Sequence, residues 1–412
     1  MFNFFFRGDK PNLKQYAVRL LERIHAVDPS QGLSFDEARA ALVDPDGQVR
    51  LNLGNLHSDY LRATQEQRAA LLDSQAQVAC MRSSPDVSGD YETTARRNLV
   101  PIVRNRLNAE AALRLMKPSP SKADCIPGRP LNEDLVVHIA FDTEHTISQV
   151  TESMLAHWGV GFDDALSDAF ANLRAMGGPC WEAMEGGFFR GAWQDSYDCS
   201  RLLLPEMFAE LPLRGRPVAI VPARGEIVAA SDRDLPAQLA MLRHARASLE
   251  DNTRWAAGSM LVLEGDAWTT YEPGDDAVRR ARDSLRNIVL HSDYKNQKTA
   301  LEQQHEDELI AIFVASFMVY ENDDGSGEMR SYCTYGEGVE AYLPKADRVI
   351  FLRLGPDGRP DASRKIIVPW DEARAITGPL MAPVDIYPPR FHVQAFPDEA
   401  TLTRLRAAAV SL

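Results

Sequence analysis

The stretch RPVAIVPARGEIVAASD, residues 216–232, decides the fold class. Residues 218–222 and 226–231 are two apolar runs joined by Ala-Arg-Gly, a pattern that predicts an antiparallel hairpin. The same signal recurs on both sides. Residues 179–192 predict a hairpin, as do 260–264 with 268–271, and helical periodicity over 235–249 lies between the second hairpin and the third. Just upstream, GAWQDSYDCSRLL, residues 191–203, leads into an expected helix over 200–211. Strands that arrive as hairpins, not singly between helices, predict an α+β fold with mainly antiparallel sheets.

Working outward, Leu13, Tyr16, Ala17, Leu20, Leu21 and Ile24 recur at helical spacing and predict an amphipathic helix. Ser34 and Glu37 have capping-box spacing ahead of an expected short helix. DPDG at 44–47 predicts a tight turn between 41–43 and a strand over 49–53. Helices are expected over 56–81 and 91–116, the second interrupted at Pro101. A proline-rich loop over 117–130, a strand over 135–141 and helices over 146–158 and 162–176 follow.

From 275 to 308 the chain is helix-forming and strongly charged. Val278, Ala281, Leu285, Ile288 and Val289 stripe its first half, whereas KNQKTALEQQHEDE, residues 295–308, is almost wholly polar, which predicts a connector between domains. Beyond it, IAIFVASFMVY at 310–320 predicts a buried strand and ENDDGSG a turn. Further strands are expected at 329–335, 339–342, 348–354, 364–368 and 390–396, with helices at 371–376 and 398–408. The expected organisation is two α+β domains, 1–274 and 309–412, each a mainly antiparallel sheet with flanking helices, joined by a polar helix over 275–308.

The chain has 412 residues, with 45 basic against 59 acidic side chains and a net charge of −14. That balance disfavours a phosphate backbone, so no nucleic-acid partner is expected. Arg96, Arg97, Arg104, Arg106 and Arg114 are read as the solvated face of the helix expected there. No apolar run approaches the length of a membrane span, and MFNFFFRGDK falls short of a signal-peptide core. Five cysteines without tight pairing fit a reducing compartment. A cytoplasmic location and no membrane partner are therefore expected, and oligomeric state is not specified.

VPIVRNR at 100–106, HIAFDTEHTISQVTESMLAHWGVGFDDALSDAFANLRAM at 138–176, the 191–203 and 216–232 segments, and GSMLVLEGDAWTTYEP at 258–273 occur in one order. In that order they resemble the YtpQ-like family of uncharacterised bacterial proteins. The resemblance covers residues 90–273 and, more loosely, the first 90, leaving the C-terminal part outside. It implies a shared fold and a bacterial origin. Since the family has no agreed activity, it implies no reaction.

Candidate ligand-binding residues are Asp142, Tyr197, Asp198, Ser200 and Arg201. A carboxylate beside an arginine fork can hold a carboxylate- or phosphate-bearing ligand. Asp198 can equally serve as the N-cap of the helix expected after it. Cys199 reads as a structural thiol. His138, Asp142 and His145 could converge on a metal, but nothing extends them into a metal signature, so no metal is assigned. Asn322, Asp323 and Asp324 before Gly325 lack calcium-loop spacing and read as a hairpin turn. The six tryptophans read as core residues. No Walker loop, dinucleotide fingerprint, HExxH or GxSxG is present, so no cofactor is expected and no enzyme class is assigned. The functional expectation is a non-catalytic binding or accessory component acting through another protein. The alternative is a hydrolase with an unfamiliar site around Asp142, Asp198, Ser200 and Arg201.

Overall fold

The computed structural model describes residues 11–37, 39–47, 49–80, 89–107, 125–143, 147–251, 255–322 and 325–411. The chain forms two compact units: the described residues up to Asn98 with Phe141–Ser148, and Leu99–Ala140 with Gln149 onward.

In the first unit, helix α1 (Leu13–Val27) starts on a capping box, in which the Asn12 and Gln15 side chains each accept the other's backbone N–H. Its Tyr16, Ala17, Leu20 and Ile24 form the buried face that the apolar spacing predicts. Strands β1 (Ser34–Asp36), β2 (Ala41–Val43) and β3 (Val49–Asn52) make an antiparallel sheet, with DPDG turning between β2 and β3. Ser34 lies in a strand opposite Val43, so the short helix expected after Ser34 is absent. The expected 56–81 helix is two, α2 (Leu53–Arg62) and α3 (Gln65–Cys80). Thr64 and Gln67 make a second capping box at the break, a signal already present in the sequence. A Tyr16 hydroxyl bond to Gln75 closes α3 onto α1 at 2.7 Å.

The second unit opens with β4 (Leu99–Asn105) where a helix was expected. Six of its seven residues are buried, so both faces are covered and the run lacks strand alternation. Without alternation, VPIVRN cannot be told from a helical segment by period alone. Arg104 thus lies within a strand and Arg106 just after it, and Arg114 lies outside the described residues. Strands β5 (Arg129–Pro130), β6 (Leu135–Asp142) and β7 (Ile147–Gln149) accompany β4, in the order β4-β6-β5 with β7 also pairing β6. Helix α4 (Glu152–Trp158) is N-capped by Thr151, and α5 (Phe162–Ala175) packs on β4.

The predicted hairpins build one antiparallel six-stranded sheet. Its strands are β8 (Trp181–Ala183), β9 (Phe189–Gly191), β10 (Pro217–Ala223), β11 (Glu226–Ser231), β12 (Leu261–Glu264) and β13 (Ala267–Thr270), ordered β13-β12-β10-β11-β9-β8. Alternation on β10 and β11 divides two cores. Val218, Ile220, Val228 and Ala230 face helix α6 (Leu235–Asp251), while Ala219, Val221, Ile227 and Ala229 face Tyr197, Cys199 and Leu202. In place of the helix expected over 200–211, two tight 3₁₀ turns run over Asp198–Leu203 and Pro205–Phe208. Pro205, lacking an N–H, separates them.

Helix α7 (Asp276–Glu308) starts on the Asp275 carboxylate, which accepts from the N–H groups of Ala277 and Val278. Val278 and Leu285 enter the α6-side core and Tyr294 enters a third core further on. That core lies among β14 (Phe313–Val314), β15 (Met318–Glu321), β16 (Met329–Gly336), β17 (Ala341–Pro344), β18 (Arg348–Leu352), β19 (Ile366–Pro369), β20 (Ala382–Val384) and β21 (Arg390–Val393), with helices α8 (Trp370–Thr377) and α9 (Glu399–Ala407). The sheets are β15-β16-β18-β19 and β14-β17-β21-β20, antiparallel except for the β14–β17 and β16–β18 pairs. The run 310–320, expected as one strand, contributes β14 to one sheet and β15 to the other. Fully buried Arg390 ties α7 to this core, donating to Gln297 Oε1 at 2.6 Å and to the carbonyls of Ala315 and Tyr342. The polar second half of α7 is thus packed, with Gln297, Leu301 and His305 all buried. The fold is α+β, and among the described residues no helix is long and apolar enough to cross a membrane.

Candidate functional site

Residues 193–201 form a self-tied loop. Gln194 and Ser196 sit at φ 58° and 69°, a left-handed conformation that costs non-glycine residues energy and persists only when neighbours impose it. The ties are local. Asp198 Oδ1 accepts the Trp193 N–H at 3.0 Å and, longer, the Gln194 N–H at 3.5 Å. Asp195 accepts the Tyr197 N–H through one oxygen and Arg201 Nη2 through the other, at 2.6 Å. Arg201, fully buried, also donates to the Tyr197 carbonyl and lies over the Trp193 ring, 5.3 Å from its centroid. Asp198 therefore reaches back to the residues before it and does not cap the turn it begins; the N-cap position is Tyr197, which makes no side-chain capping bond. Ser200 is fully buried, and Cys199 belongs to the adjacent core.

Four of the five sequence candidates thus share this loop. Asp142, the fifth, ends β6 in the first unit, half-buried. His138 is buried and bonds the Pro127 carbonyl through Nδ1 at 2.8 Å; burial holds its pKa below the ordinary value, so it stays neutral. His145, Asp323 and Asp324 lie outside the described residues. Among the described residues no group of three His, Cys, Asp or Glu side chains could hold a metal ion. Trp158 and Trp370 are buried; Trp181, Trp193, Trp255 and Trp268 are half-buried, each donating its indole N–H to a protein oxygen.

A cleft of about 120 Å³ opens against α7, lined among others by Asp134, Arg286, Asn287, Lys345, Asp347 and Tyr387. The Tyr387 hydroxyl donates to Asp134 Oδ1 at 2.8 Å. Burial, with Asp134 beside it, pushes the Tyr387 hydroxyl well above its ordinary value, so it remains a donor. Asp347 Oδ2 accepts from Asn287 Nδ2 at 2.8 Å and from the Ser331 N–H at 2.9 Å. Burial works against the Arg286 charge but is outweighed by Asp134 and Glu133, and its pKa rises. One helical turn beyond the cleft-lining Leu290, Asp293 accepts from Trp255 Nε1 at 2.8 Å and Asn105 Nδ2 at 3.0 Å, and burial lifts its pKa to about 6.

None of these cleft residues was singled out by the sequence, because Asp134 and Tyr387 stand 253 positions apart. One signal was nonetheless present. Val278, Arg282, Leu285, Val289, Asp293, Gln297, Leu301 and His305 recur every three or four residues and are all buried, so polar side chains occupy the apolar stripe of α7.

A third feature is a group of exposed apolar residues. Leu309 ends α7 at φ 55° and is 91% exposed, Phe313 is 55% exposed and Val339 43%. The Phe313 N–H bonds the Glu340 carbonyl, next in the chain to Val339, and the Lys298 ammonium lies 4.9 Å from the Phe313 ring centroid. In comparison with known proteins, no family model, curated protein or solved structure matches the chain.

Proposed function

We propose that the protein is a non-catalytic binding component acting through a protein partner, with residues 90–273 belonging to the YtpQ-like family and a cytoplasmic site of action. The observation that carries this reading is Leu309. Leu309 ends α7 in the left-handed conformation that glycine favours, its N–H bonding the His305 carbonyl, and its side chain is left 91% exposed. Phe313 and Val339 are exposed as well, and exposed large apolar side chains of this kind mark interaction surfaces when they cluster. Lys298 Nζ already binds the Val314 carbonyl at the outer edge of β14, so a partner docks by side-chain packing and not by adding a strand. Glu302, Glu306, Asp307 and Glu308 are exposed at the adjoining end of α7, so the partner segment is apolar with basic flanks. The hydrolase reading loses its footing because Asp198 and Arg201 are spent on their own loop.

The test compares wild type with a Leu309→Gly, Phe313→Ser variant in quantitative capture from extracts of the native organism, followed by sedimentation of the purified protein. A protein retained by wild type, lost with the variant and weakened by salt supports the reading, provided the variant melts no lower. Equal retention by both, or wild type that only self-associates through these side chains, sinks it.

A further inference from the structure

We propose that the cleft against α7 is a binding site for a small zwitterion of the α-amino acid class. A water needs on the order of 10–15 Å³ of such space, so about 120 Å³ accommodates a ligand of several heavy atoms. The charges at its wall separate into those already matched and those left over. Glu133 is paired with Arg286 and Asp283 with Arg282. Asp347 is held by neutral donors, the Asn287 amide and the Ser331 N–H, which fix its oxygens without neutralising them. Asp134 is oriented by the Tyr387 hydroxyl, with the Arg286 charge nearby. A buried carboxylate braced by neutral donors gains most from an ammonium group.

The opposite end of such a ligand also finds partners. Lys345 lines the same cleft, and among the described residues its ammonium has no carboxylate within ion-pair distance. Arg286 Nε is shielded from solvent and has no hydrogen-bond partner, although the same guanidinium reaches Glu133. An ammonium, an arginine N–H and two braced carboxylates in one lining suit a molecule carrying both charges a few bonds apart. A simple amine would leave Lys345 unanswered, and a simple acid would meet Asp134 and Asp347. Leu290, Tyr294, Ala346 and Pro389 complete the lining, and the small volume limits the side chain to a small one.

Calorimetric titration of the full-length protein with glycine, alanine and serine, and separately with methylamine and acetate, tests the assignment. At least one of the amino acids should bind, and methylamine and acetate should bind at least tenfold more weakly. Asp347→Asn keeps one oxygen for Asn287 and Ser331 while removing the charge, and should weaken amino acid binding tenfold or more. Lys345→Gln, at an exposed rim position, should do the same without lowering the melting temperature, and it carries the test if Asp347→Asn fails to fold. No binding of any amino acid, binding of methylamine or acetate as strong as theirs, or full affinity in Lys345→Gln would overturn the assignment.

Discussion

The Asp198 carboxylate accepts the backbone N–H of Trp193, five residues before it, at 3.0 Å. It thereby holds a loop in which Gln194 and Ser196 are left-handed. Asp198→Asn keeps an acceptor oxygen and should cost little. Asp198→Ala and Asp198→Ser, which cannot reach back, should each lose about 1–3 kcal/mol by leaving an amide without its partner. Urea unfolding of the three variants measures this, and equal stability of Asn and Ala would refute the lock.

Arg201 is fully buried and its carboxylate partner, Asp195, lies 2.6 Å away. Asp195→Ala should destabilise by about 3 kcal/mol, because it leaves a buried charge with a carbonyl and a ring face only. Pairing that change with Arg201→Met should recover part of the loss. If the double variant is no more stable than Asp195→Ala, the guanidinium is held by something other than its charge partner.

Burial raises the Asp293 carboxyl from 3.8 to about 6, against hydrogen bonds from Trp255 and Asn105. The folded protein therefore binds this proton more tightly than the unfolded chain. The stability it contributes is fully present below the unfolded value and is lost as pH rises through about 6, a change on the order of 3 kcal/mol. Asp293→Asn should flatten that part of the profile of unfolding free energy against pH. An unaltered slope would assign the effect to another group.

The legible parts of this fold were the local ones. Hairpins and capping boxes such as Asn12 with Gln15 depend on neighbours a few residues apart. Strand β4 was misread because burial on both faces erases its alternation, and the turn at Asp198 because its carboxylate points backward. The cleft was illegible for a different reason: Asp134, Asn287 and Asp347 meet only after three separate segments have packed. Polarity alone made residues 295–308 look like a solvated connector, yet Arg390 and Pro388 supply partners for Gln297.

That packing makes a prediction about proteolysis. Trypsin should cleave at exposed Arg364 before it cuts at Lys295 or Lys298, because Gln297 and Leu301 anchor that part of α7. Fragments ending at 294 or starting at 305 should aggregate when expressed alone, since each lacks part of the helix. Two monomeric fragments with cooperative melting would contradict this.

Helix α7 enters one core through Val278 and Leu285 and another through Tyr294. It is therefore a common beam, and neither core can melt while the other keeps the helix intact along its length. Any molecule that grips the beam between them raises the melting point of both at once, so occupancy of the cleft is reported to the sheet at 181–270 without any part having to move.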